Sequence, residues 1–335
     1  MKAEDTNLFD SNDEIIITSI LPAENELYLV GSKKEKHYEV ILIRIDDSFK
    51  IIFQKQFGNK TSDYEGQNII IQDDGLLISG CSEGQATDVG GRDWKAYLLK
   101  TTHSGIKIWE QSLRIMGNEC AYHVISNDNI LLFGNTTDIT GKAQFFLICL
   151  DQQGNFLWKQ LYAEGSASIA GGIISTIDGL IISGCVKKND IWHIYIFKLN
   201  MTGEIEWEKR FSDYYVFGMN KLSDGFLLTG EKSGRVTLMK VDFSGNLVWE
   251  STFDEGTGIS ITTIKDYIFL GGYLKVKDNN QPVLYKLNKN GKLVDKMIFE
   301  KDGCIETMTE FQGSLIAIRH GDSPKEHSEL IQIII

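Results

Sequence analysis

The chain has 335 residues, of which 42% are hydrophobic and 24% are charged, as is typical of a globular protein with a large core. Its formal net charge is −12, and it has no basic run, so it would repel nucleic acids and anionic membrane surfaces. No apolar stretch approaches the roughly 18–20 residues of a membrane-spanning helix. We therefore expect no nucleic-acid partner and no membrane insertion.

The start of the chain and its cysteines bear on its compartment. The first ten residues, MKAEDTNLFD, lack the apolar segment of a signal peptide, which favours a cytoplasmic protein. Export followed by removal of a leader is the alternative. The five cysteines are widely spaced, with no C-x-x-C pair, which argues against a disulfide framework or a zinc ribbon. Buried thiols in a reducing compartment are the simpler interpretation.

Short apolar runs that end in glycine recur along the whole chain, at intervals of 41 to 54 residues. A further run, SLIAIR, places Arg319 at the glycine position. A period of roughly 40–55 residues with only strand-like segments is typical of β-propellers. The glycines that end these runs are Gly31, Gly80, Gly134, Gly184, Gly230 and Gly271.

Each repeat is predicted to form four strands. An inner run leads into a tight turn such as QDDG or TIDG, where aspartate caps the backbone and glycine accepts a positive φ. The run that ends in glycine follows, and then come a loop of variable length and a third run such as VTLMKVD. A second tight turn precedes the fourth run. These short runs of β-branched and aromatic residues predict an antiparallel meander without helices.

The second turn and the fourth strand share one motif, in which a glycine precedes a tryptophan by four residues, as in Gly203 and Trp207. We expect the glycine to close a hairpin and the tryptophan to wedge neighbouring blades together. A two-residue hairpin loop would place a cation opposite most of these aromatic positions, and Lys286 opposite Asp295. The third-strand residues concerned are Arg44, Lys100, Cys149, Lys198, Lys240 and Lys286.

Counting the repeats predicts a single all-β domain over residues 1–335, a seven-bladed β-propeller of four-stranded antiparallel blades. The last repeat ends after only two further strands, SLIAIRH and ELIQIII. The step from Phe9 to Ile15 matches the step from Phe253 to Ile259, where a fourth strand leads into the next inner strand. We therefore expect residues near 4–9 to close the last blade, which removes exposed sheet edges.

The stretches QKQFGNKTSDYEGQNIIIQDDGLLISG (54–80) and AYLLKTTHSGIKIWEQSL (96–113) resemble a widespread family of bacterial and archaeal repeat propellers. The Asp-Gly turn and the Gly-x-x-x-Trp motif are also similar to repeats of quinoprotein-like and outer-membrane-assembly propellers. The resemblance covers nearly the whole chain and implies blades rather than chemistry. Most members of this class look exported. Quinone chemistry does not transfer, because the vicinal cysteine pair of those enzymes is missing.

The sequence contains no nucleophile-elbow, P-loop, zinc-protease or calcium-loop motif. The six histidines lack the i,i+2 and i,i+4 spacings of a metal site. We therefore expect no catalytic residue, no metal and no cofactor. An enzyme is the less favoured interpretation. Because propellers host both catalysts and scaffolds, the fold alone does not decide this.

Loops that differ in length gather on one side of the predicted propeller. This variable-loop face comprises 32–38, 81–93, 135–143, 185–191, 231–235, 272–281 and 320–328, with the connections 58–66, 114–120, 163–168 and 212–216. Binding residues concentrate on loops held by a rigid scaffold. The candidate binding residues are His37, Tyr38, Tyr64, Arg92, Asp93, Trp94, Tyr162, Trp192, Tyr214, Tyr215, Tyr273 and His320.

The favoured function is a non-catalytic interaction module that binds a protein or peptide partner on the variable-loop face. Exposed aromatic residues and arginine are the usual anchors of such interfaces. A carbohydrate-binding propeller is the alternative, and a lyase or hydrolase with its site at the channel mouth is less favoured. Repeated identical pockets would favour a lectin, whereas dissimilar loops favour a single asymmetric partner.

Overall fold

The computed structural model describes residues 1–6, 8–9, 13–84, 93–321 and 327–335. Within these ranges the chain forms only β-strands, and no helix could span a membrane. In chain order the strands are β1 (Lys2–Asp5), β2 (Ile15–Ala23), β3 (Glu26–Lys34), β4 (Tyr38–Asp46), β5 (Ile51–Phe57), β6 (Tyr64–Gln72), β7 (Gly75–Glu83), β8 (Trp94–Thr101), β9 (Lys107–Leu113), β10 (Asn118–Ser126), β11 (Ile130–Thr137), β12 (Ala143–Leu150), β13 (Phe156–Gly165), β14 (Ala167–Thr176), β15 (Gly179–Lys188), β16 (Ile191–Leu199), β17 (Ile205–Ser212), β18 (Tyr214–Leu222), β19 (Gly225–Lys232), β20 (Arg235–Val241), β21 (Leu247–Ile264), β22 (Tyr267–Val276), β23 (Asn279–Asn288), β24 (Leu293–Ile298), β25 (Cys304–Phe311), β26 (Ser314–His320) and β27 (Ser328–Ile334).

The predicted count of seven four-stranded blades is wrong. Five antiparallel blades have four strands each, namely β2–β5, β6–β9, β10–β13, β14–β17 and β1 with β25–β27. Strands β18–β24 form one seven-stranded sheet instead. The physical reason is β21, whose 18 residues run without a break. Its first half pairs with β20 and its second half, from Gly256, pairs with β22, so no interruption separates two sheets there.

The N-terminal strand closes the last blade, as expected. β1 pairs antiparallel with β27, with Lys2 opposite Ile334 and Asp5 opposite Ile331. The pairing therefore occupies residues 2–5 rather than extending to residue 9. The N-terminal amine of Met1 also binds the Asp295 carboxylate of β24 at 2.8 Å. Both contacts fix the start of the chain to distant parts of the sequence.

The apolar core lies between neighbouring sheets. Phe133 and Phe145 of one blade pack in a single buried cluster with Tyr195 and Phe197 of the next. A second cluster combines residues of the first blade with Ile316 and other residues of the last blade. Burial of these residues stabilises the arrangement in which each sheet packs against the next around a central channel.

The glycine–tryptophan motif links successive sheets. Trp207 packs over Gly245 in the hairpin of the following sheet, and a Cβ at residue 245 would lie 2.6 Å from the indole. Trp158 contacts Gly203 in the same way, where a Cβ would lie 2.9 Å from the indole. Each glycine therefore both adopts the positive φ of its turn and makes room for the tryptophan of the preceding blade. The expected wedging by tryptophan is confirmed.

Lys198 lies opposite Trp207 and Lys286 lies opposite Asp295, as expected, but the two-residue loop on which this expectation was based is wrong. Asn200 pairs with Glu204 across a longer turn, and a bulge next to Leu199 restores the expected pairing. The interactions of these cations differ from the prediction. Lys198 binds Asp178 in the first turn of its own blade at 3.0 Å, and Lys286 lies 4.3 Å from the ring centre of Tyr267. The nearly buried ammonium group of Lys198 requires a counter-charge, which Asp178 supplies. The indole of Trp207 packs against the following sheet instead. The same lysine–aspartate pair joins Lys100 to Asp74 and Lys240 to Asp224.

Candidate functional site

The innermost strands share an irregularity at matching positions. In each of them the pairing with the second strand skips one residue, which forms a β-bulge. Bulges re-aim side chains and are frequent beside functional sites. The residues at these bulges are Thr18, Gln67, Tyr122, Gly171, Phe217, Ile259 and Glu306.

All of these bulge residues line one cavity in the central channel. This central cavity has a volume of about 470 Å³, which falls within the range of roughly 300–1,000 Å³ usual for small-ligand sites. The bulges are the third to fifth residues of β2, β6, β10, β14, β18 and β25. The inner strands begin at the variable-loop face, and the bulges lie near their starts. The cavity is therefore nearer to the variable-loop face than to the opposite face.

One wall of the central cavity is polar and the opposite wall is largely apolar. The polar wall comes from the neighbouring strands β25, β2 and β6, and it includes Thr18, Gln67, Asn68, Glu306 and Thr307. The apolar wall comes from β10, β14, β18 and β21, and it includes Tyr122, Ile169, Phe217, Met219, Ile259 and Ile261. A ligand with one polar and one apolar side would match both walls.

Polar side chains interrupt the apolar wall, among them Asn135, His123, Ser168 and Ser260. The Oδ1 atom of Asn135 is buried and has no hydrogen-bond partner among the described residues, and other atoms of Asn135 line the cavity. His123 stacks on Phe133 with ring centres 6.1 Å apart. Burial lowers the pKa of His123 to about 4, and a hydrogen bond to the backbone of Ala170 opposes the shift only in part. The imidazole is therefore neutral at pH 7.

An aromatic strip connects the variable-loop face with the central cavity. The rings of Trp192 and Tyr215 lie 4.9 Å apart. The ring of Tyr215 lies 6.3 Å from that of Phe217, with an angle of 3° between the two planes. Phe217 is a bulge residue of the cavity wall. Two of the predicted binding residues, Trp192 and Tyr215, therefore lead directly into the cavity.

The structure places Tyr162 and Tyr214 between sheets rather than on the accessible face. Tyr162 is 5% exposed, and its hydroxyl donates to the carbonyl oxygen of Gly203 at 2.6 Å. Tyr214 is 7% exposed and hydrogen-bonds the carboxylate of Glu250. The ammonium group of Lys232 lies 4.5 Å from the Tyr214 ring centre. Burial and these internal partners remove both tyrosines from the candidate face.

His37 and Tyr38 lie together on the variable-loop face beside Asp63. The Nδ1 atom of His37 is 3.2 Å from the Asp63 carboxylate, and the backbone N–H of Tyr38 donates to the same oxygen at 3.0 Å. With Lys34 and Glu83 they line a separate open depression. These contacts order the loop between β3 and β4, at a distance in the fold from the aromatic strip.

Tyr64 and Tyr273 are half-buried and hold internal contacts. The Tyr64 ring lies edge-on to Tyr97 with ring centres 5.2 Å apart, and its hydroxyl accepts a hydrogen bond from Asn59. The Tyr273 hydroxyl accepts a hydrogen bond from Thr257 at 3.1 Å. Neither residue lines the central cavity.

Asp93 and Trp94 lie at the start of β8. Asp93 is 9% exposed and forms an ion pair with Arg114. Trp94 is half-buried, and its backbone N–H donates to the Asn118 side chain at 3.2 Å. Arg92, the third predicted residue of this loop, lies outside the described residues.

His320 ends β26 next to the polar wall. Its Nε2 atom is 2.8 Å from the carbonyl oxygen of Ile17 in the first blade. Its Nδ1 atom is 3.9 Å from the carboxylate of Glu306, a residue of the cavity wall. The predicted site residues nearest the channel are thus His320 on one side and the Trp192–Tyr215 pair on another.

The sequence did not reveal the central cavity. Its lining residues occupy inner runs that resemble ordinary apolar strands. The recurrence of polar or glycine residues at the bulge positions of aligned repeats was the available signal, as in Thr18, Gln67 and Glu306.

The sequence matches no protein-family model and no curated protein sequence. Among solved structures, the fold is similar to puromycin hydrolase, with a TM-score of 0.61 and 10% identity over 93% of this chain and 51% of that one. An ulvan lyase of polysaccharide lyase family PL25 gives a TM-score of 0.58 and 11% identity over 93% of this chain and 90% of the lyase. Trypanosoma rangeli sialidase in complex with sialic acid gives a TM-score of 0.58 and 12% identity over 96% of this chain and 54% of the sialidase.

These similarities define the class of the protein as an all-β propeller. The chain spans about half the length of the hydrolase and of the sialidase. At this level of identity the shared feature is the fold, and it extends to proteins of different activities.

Proposed function

We propose that this β-propeller is a non-catalytic interaction module that binds a peptide segment of a partner protein on the variable-loop face. The observation that carries the proposal is the aromatic strip of Trp192, Tyr215 and Phe217, which leads from that face into the central cavity. Large aromatic side chains are common anchors of protein interfaces.

The two walls of the central cavity suit a peptide. Amide side chains such as Gln67 and Asn68 offer both donors and acceptors to peptide groups. Phe217 and Met219 opposite them offer apolar surface to a ligand side chain. Hydroxyl and amide groups dominate the polar wall, and such groups favour binding over proton transfer.

A carbohydrate is the second candidate ligand. Tyr122 and Phe217 face a wall of hydroxyl and amide groups across the cavity. A sugar ring has apolar C–H surface and a polar hydroxyl rim, so the same two walls would hold it. The ulvan lyase and the sialidase, both named with a bound saccharide, share this fold.

The test is selection from a random peptide display library on the immobilised full chain, followed by calorimetric titration of the selected peptides. We expect Trp192→Ala and Phe217→Ala each to weaken binding by at least tenfold. Ile177→Ala is the matched control, because Ile177 is fully exposed in the turn between β14 and β15. That variant should bind like the wild type.

Three outcomes contradict the peptide proposal. The first is selected peptides whose affinity survives both aromatic substitutions. The second is failure of the library to yield any peptide that binds the wild type. The third is binding on a glycan array that is lost in Phe217→Ala while no peptide binds, and this result would establish the carbohydrate alternative.

A further inference from the structure

Cys304, Glu306 and His320 form a cluster at the variable-loop end of the last blade. Cys304 and His320 lie directly opposite each other on β25 and β26, and Glu306 is the bulge residue that follows on β25. The potential ligand atoms of the three side chains all lie within 4.8 Å of one another. The Glu306 carboxylate is 3.8 Å from the Cys304 sulfur and 3.9 Å from Nδ1 of His320.

The hydrogen bond of His320 fixes which ring nitrogen faces the cluster. Its Nε2 atom lies 2.8 Å from the carbonyl oxygen of Ile17, which can only accept, so Nε2 carries the proton. In the neutral ring Nδ1 then has a free lone pair, and Nδ1 is the atom that faces Glu306. Histidine ligands of metals usually donate their second ring N–H to a backbone carbonyl or carboxylate in this way.

We propose that Cys304, Glu306 and His320 bind a single Zn²⁺ ion, with a fourth position open to the central cavity. Thiolate and imidazole are ligands that zinc prefers, whereas Mg²⁺ and Ca²⁺ require oxygen ligands. Zinc–ligand lengths of about 2.0–2.3 Å in tetrahedral geometry place ligand atoms about 3.3–3.5 Å apart. The Glu306 separations of 3.8 and 3.9 Å need to shorten by about 0.3–0.6 Å, and all three ligand atoms already lie within 4.8 Å of one another.

The surroundings of the cluster suit an ion that contacts a ligand. The side chains of His320 and Glu306 are 20% and 32% exposed, so an ion can enter from solvent. Glu306 also lines the central cavity, so the open position of the ion would point toward the ligand space. The thiolate and carboxylate charges would balance those of the ion. A bound ion would also tie the ends of β25 and β26 together.

The test is titration of the reduced, chelator-treated full chain with Zn²⁺ and, separately, with Co²⁺. We expect one ion per chain, and with Co²⁺ a thiolate-to-metal charge-transfer band. Cys304→Ser should abolish that band. Glu306→Gln and His320→Gln should each weaken Zn²⁺ binding by at least tenfold. Because Glu306 is partly exposed, Glu306→Gln keeps the test informative if Cys304→Ser fails to fold.

Cys120→Ser is the matched control, because Cys120 and Cys81 are thiols outside the proposed site, with sulfur atoms 2.8 Å apart. This variant should keep both the stoichiometry and the charge-transfer band. A wild-type chain that binds neither ion would overturn the proposal. So would a band that survives Cys304→Ser and disappears in Cys120→Ser, because the ion would then be bound by the Cys81–Cys120 pair. Neither readout involves a peptide, so the peptide proposal is tested separately.

Discussion

Trp207 of β17 lies over Gly245, in the hairpin between β20 and β21, so the outer strand of one blade is locked to the next sheet. Residue 245 has a φ of 75°. A side chain there would be strained by the backbone and would also meet the indole at 2.6 Å. The contact between Trp207 and Gly245 explains why the glycine–tryptophan motif recurs along the chain.

Replacing Gly245 with alanine is expected to destabilise the protein by about 2–5 kcal/mol. The left-handed conformation costs a non-glycine residue about 1–2 kcal/mol, and overpacking typically adds about 1–3 kcal/mol. The free energy of unfolding in urea measures the loss. Gly234→Ala is the control, because its φ is 77° and a Cβ there meets nothing within 4 Å. Equal losses in the two variants would contradict the role of Trp207.

A double-mutant cycle tests the same contact directly. Trp207→Ala alone should cost about 2–4 kcal/mol, at the low end for large aromatic residues because the indole is half-buried. In the Trp207→Ala background, Gly245→Ala should lose the part of its overpacking cost that the indole causes, while the Lys209 side chain at 2.7 Å and the backbone cost remain. Strict additivity of the two changes would show that the side chains do not interact.

Removal of residues 1–6 is expected to destabilise the whole propeller. The deletion removes the pairing of β1 with β27 and the ion pair between the Met1 amine and Asp295, and it exposes a sheet edge. The urea midpoint should fall and aggregation should increase. Lys2→Ala, which changes only an exposed side chain, serves as the control. An unchanged midpoint in the truncated protein would show that the closure contributes nothing.

The stability of the protein should fall in acid because of His123. Its pKa is about 4 in the folded protein and 6.5 in an unfolded chain, so the unfolded state binds a proton first. The stabilisation is complete above pH 6.5 and is lost as the pH falls through 4. We expect a loss of about 2 kcal/mol between pH 7 and pH 4, since partial exposure of the ring weakens the effect.

The measurement is the free energy of unfolding as a function of pH for the wild type and His123→Gln. The substitution should remove this part of the pH dependence. His193→Gln, at the variable-loop end of β16, should leave it intact. Parallel curves for the wild type and His123→Gln would contradict the assignment.

Cys81 and Cys120 should form a disulfide when the protein is treated with oxidised glutathione. Their sulfur atoms lie 2.8 Å apart on neighbouring blades. The two thiols would transfer two electrons and two protons to the glutathione disulfide, releasing two glutathione thiols. The hydrogen bond with Cys120 and burial raise the pKa of Cys81 well above its usual value, so the reaction should be slow at neutral pH.

Mass spectrometry of peptides should detect the Cys81–Cys120 cross-link and the loss of two hydrogens. The cross-linked protein should melt at a higher temperature, because the bond joins two blades. Cys120→Ser should show neither effect. A wild-type protein that stays fully reduced, or that couples glutathione to Cys120 without forming the cross-link, would contradict the prediction.

The sequence alone determined the strand order within a repeat, the turn residues and the residues that pair across the hairpins, but not the bulge in those hairpins. These features depend on local chemistry, as in the placement of Lys286 opposite Asp295. It also determined the closure by the N-terminal strand, because the incomplete last repeat requires a missing strand. Turn preferences and the two-residue period of a strand depend only on residues that are neighbours in the sequence.

Only the tertiary structure decided how the repeats join and where the side chains of distant repeats meet. The unbroken course of β21 merges two repeats into one sheet, and nothing in its sequence marks the merger. The bulges that turn Phe217 and Glu306 into one cavity arise from strand pairing, and the two residues meet because separate sheets pack around the channel. Such contacts join residues far apart in the chain, and a local sequence pattern carries no information about them.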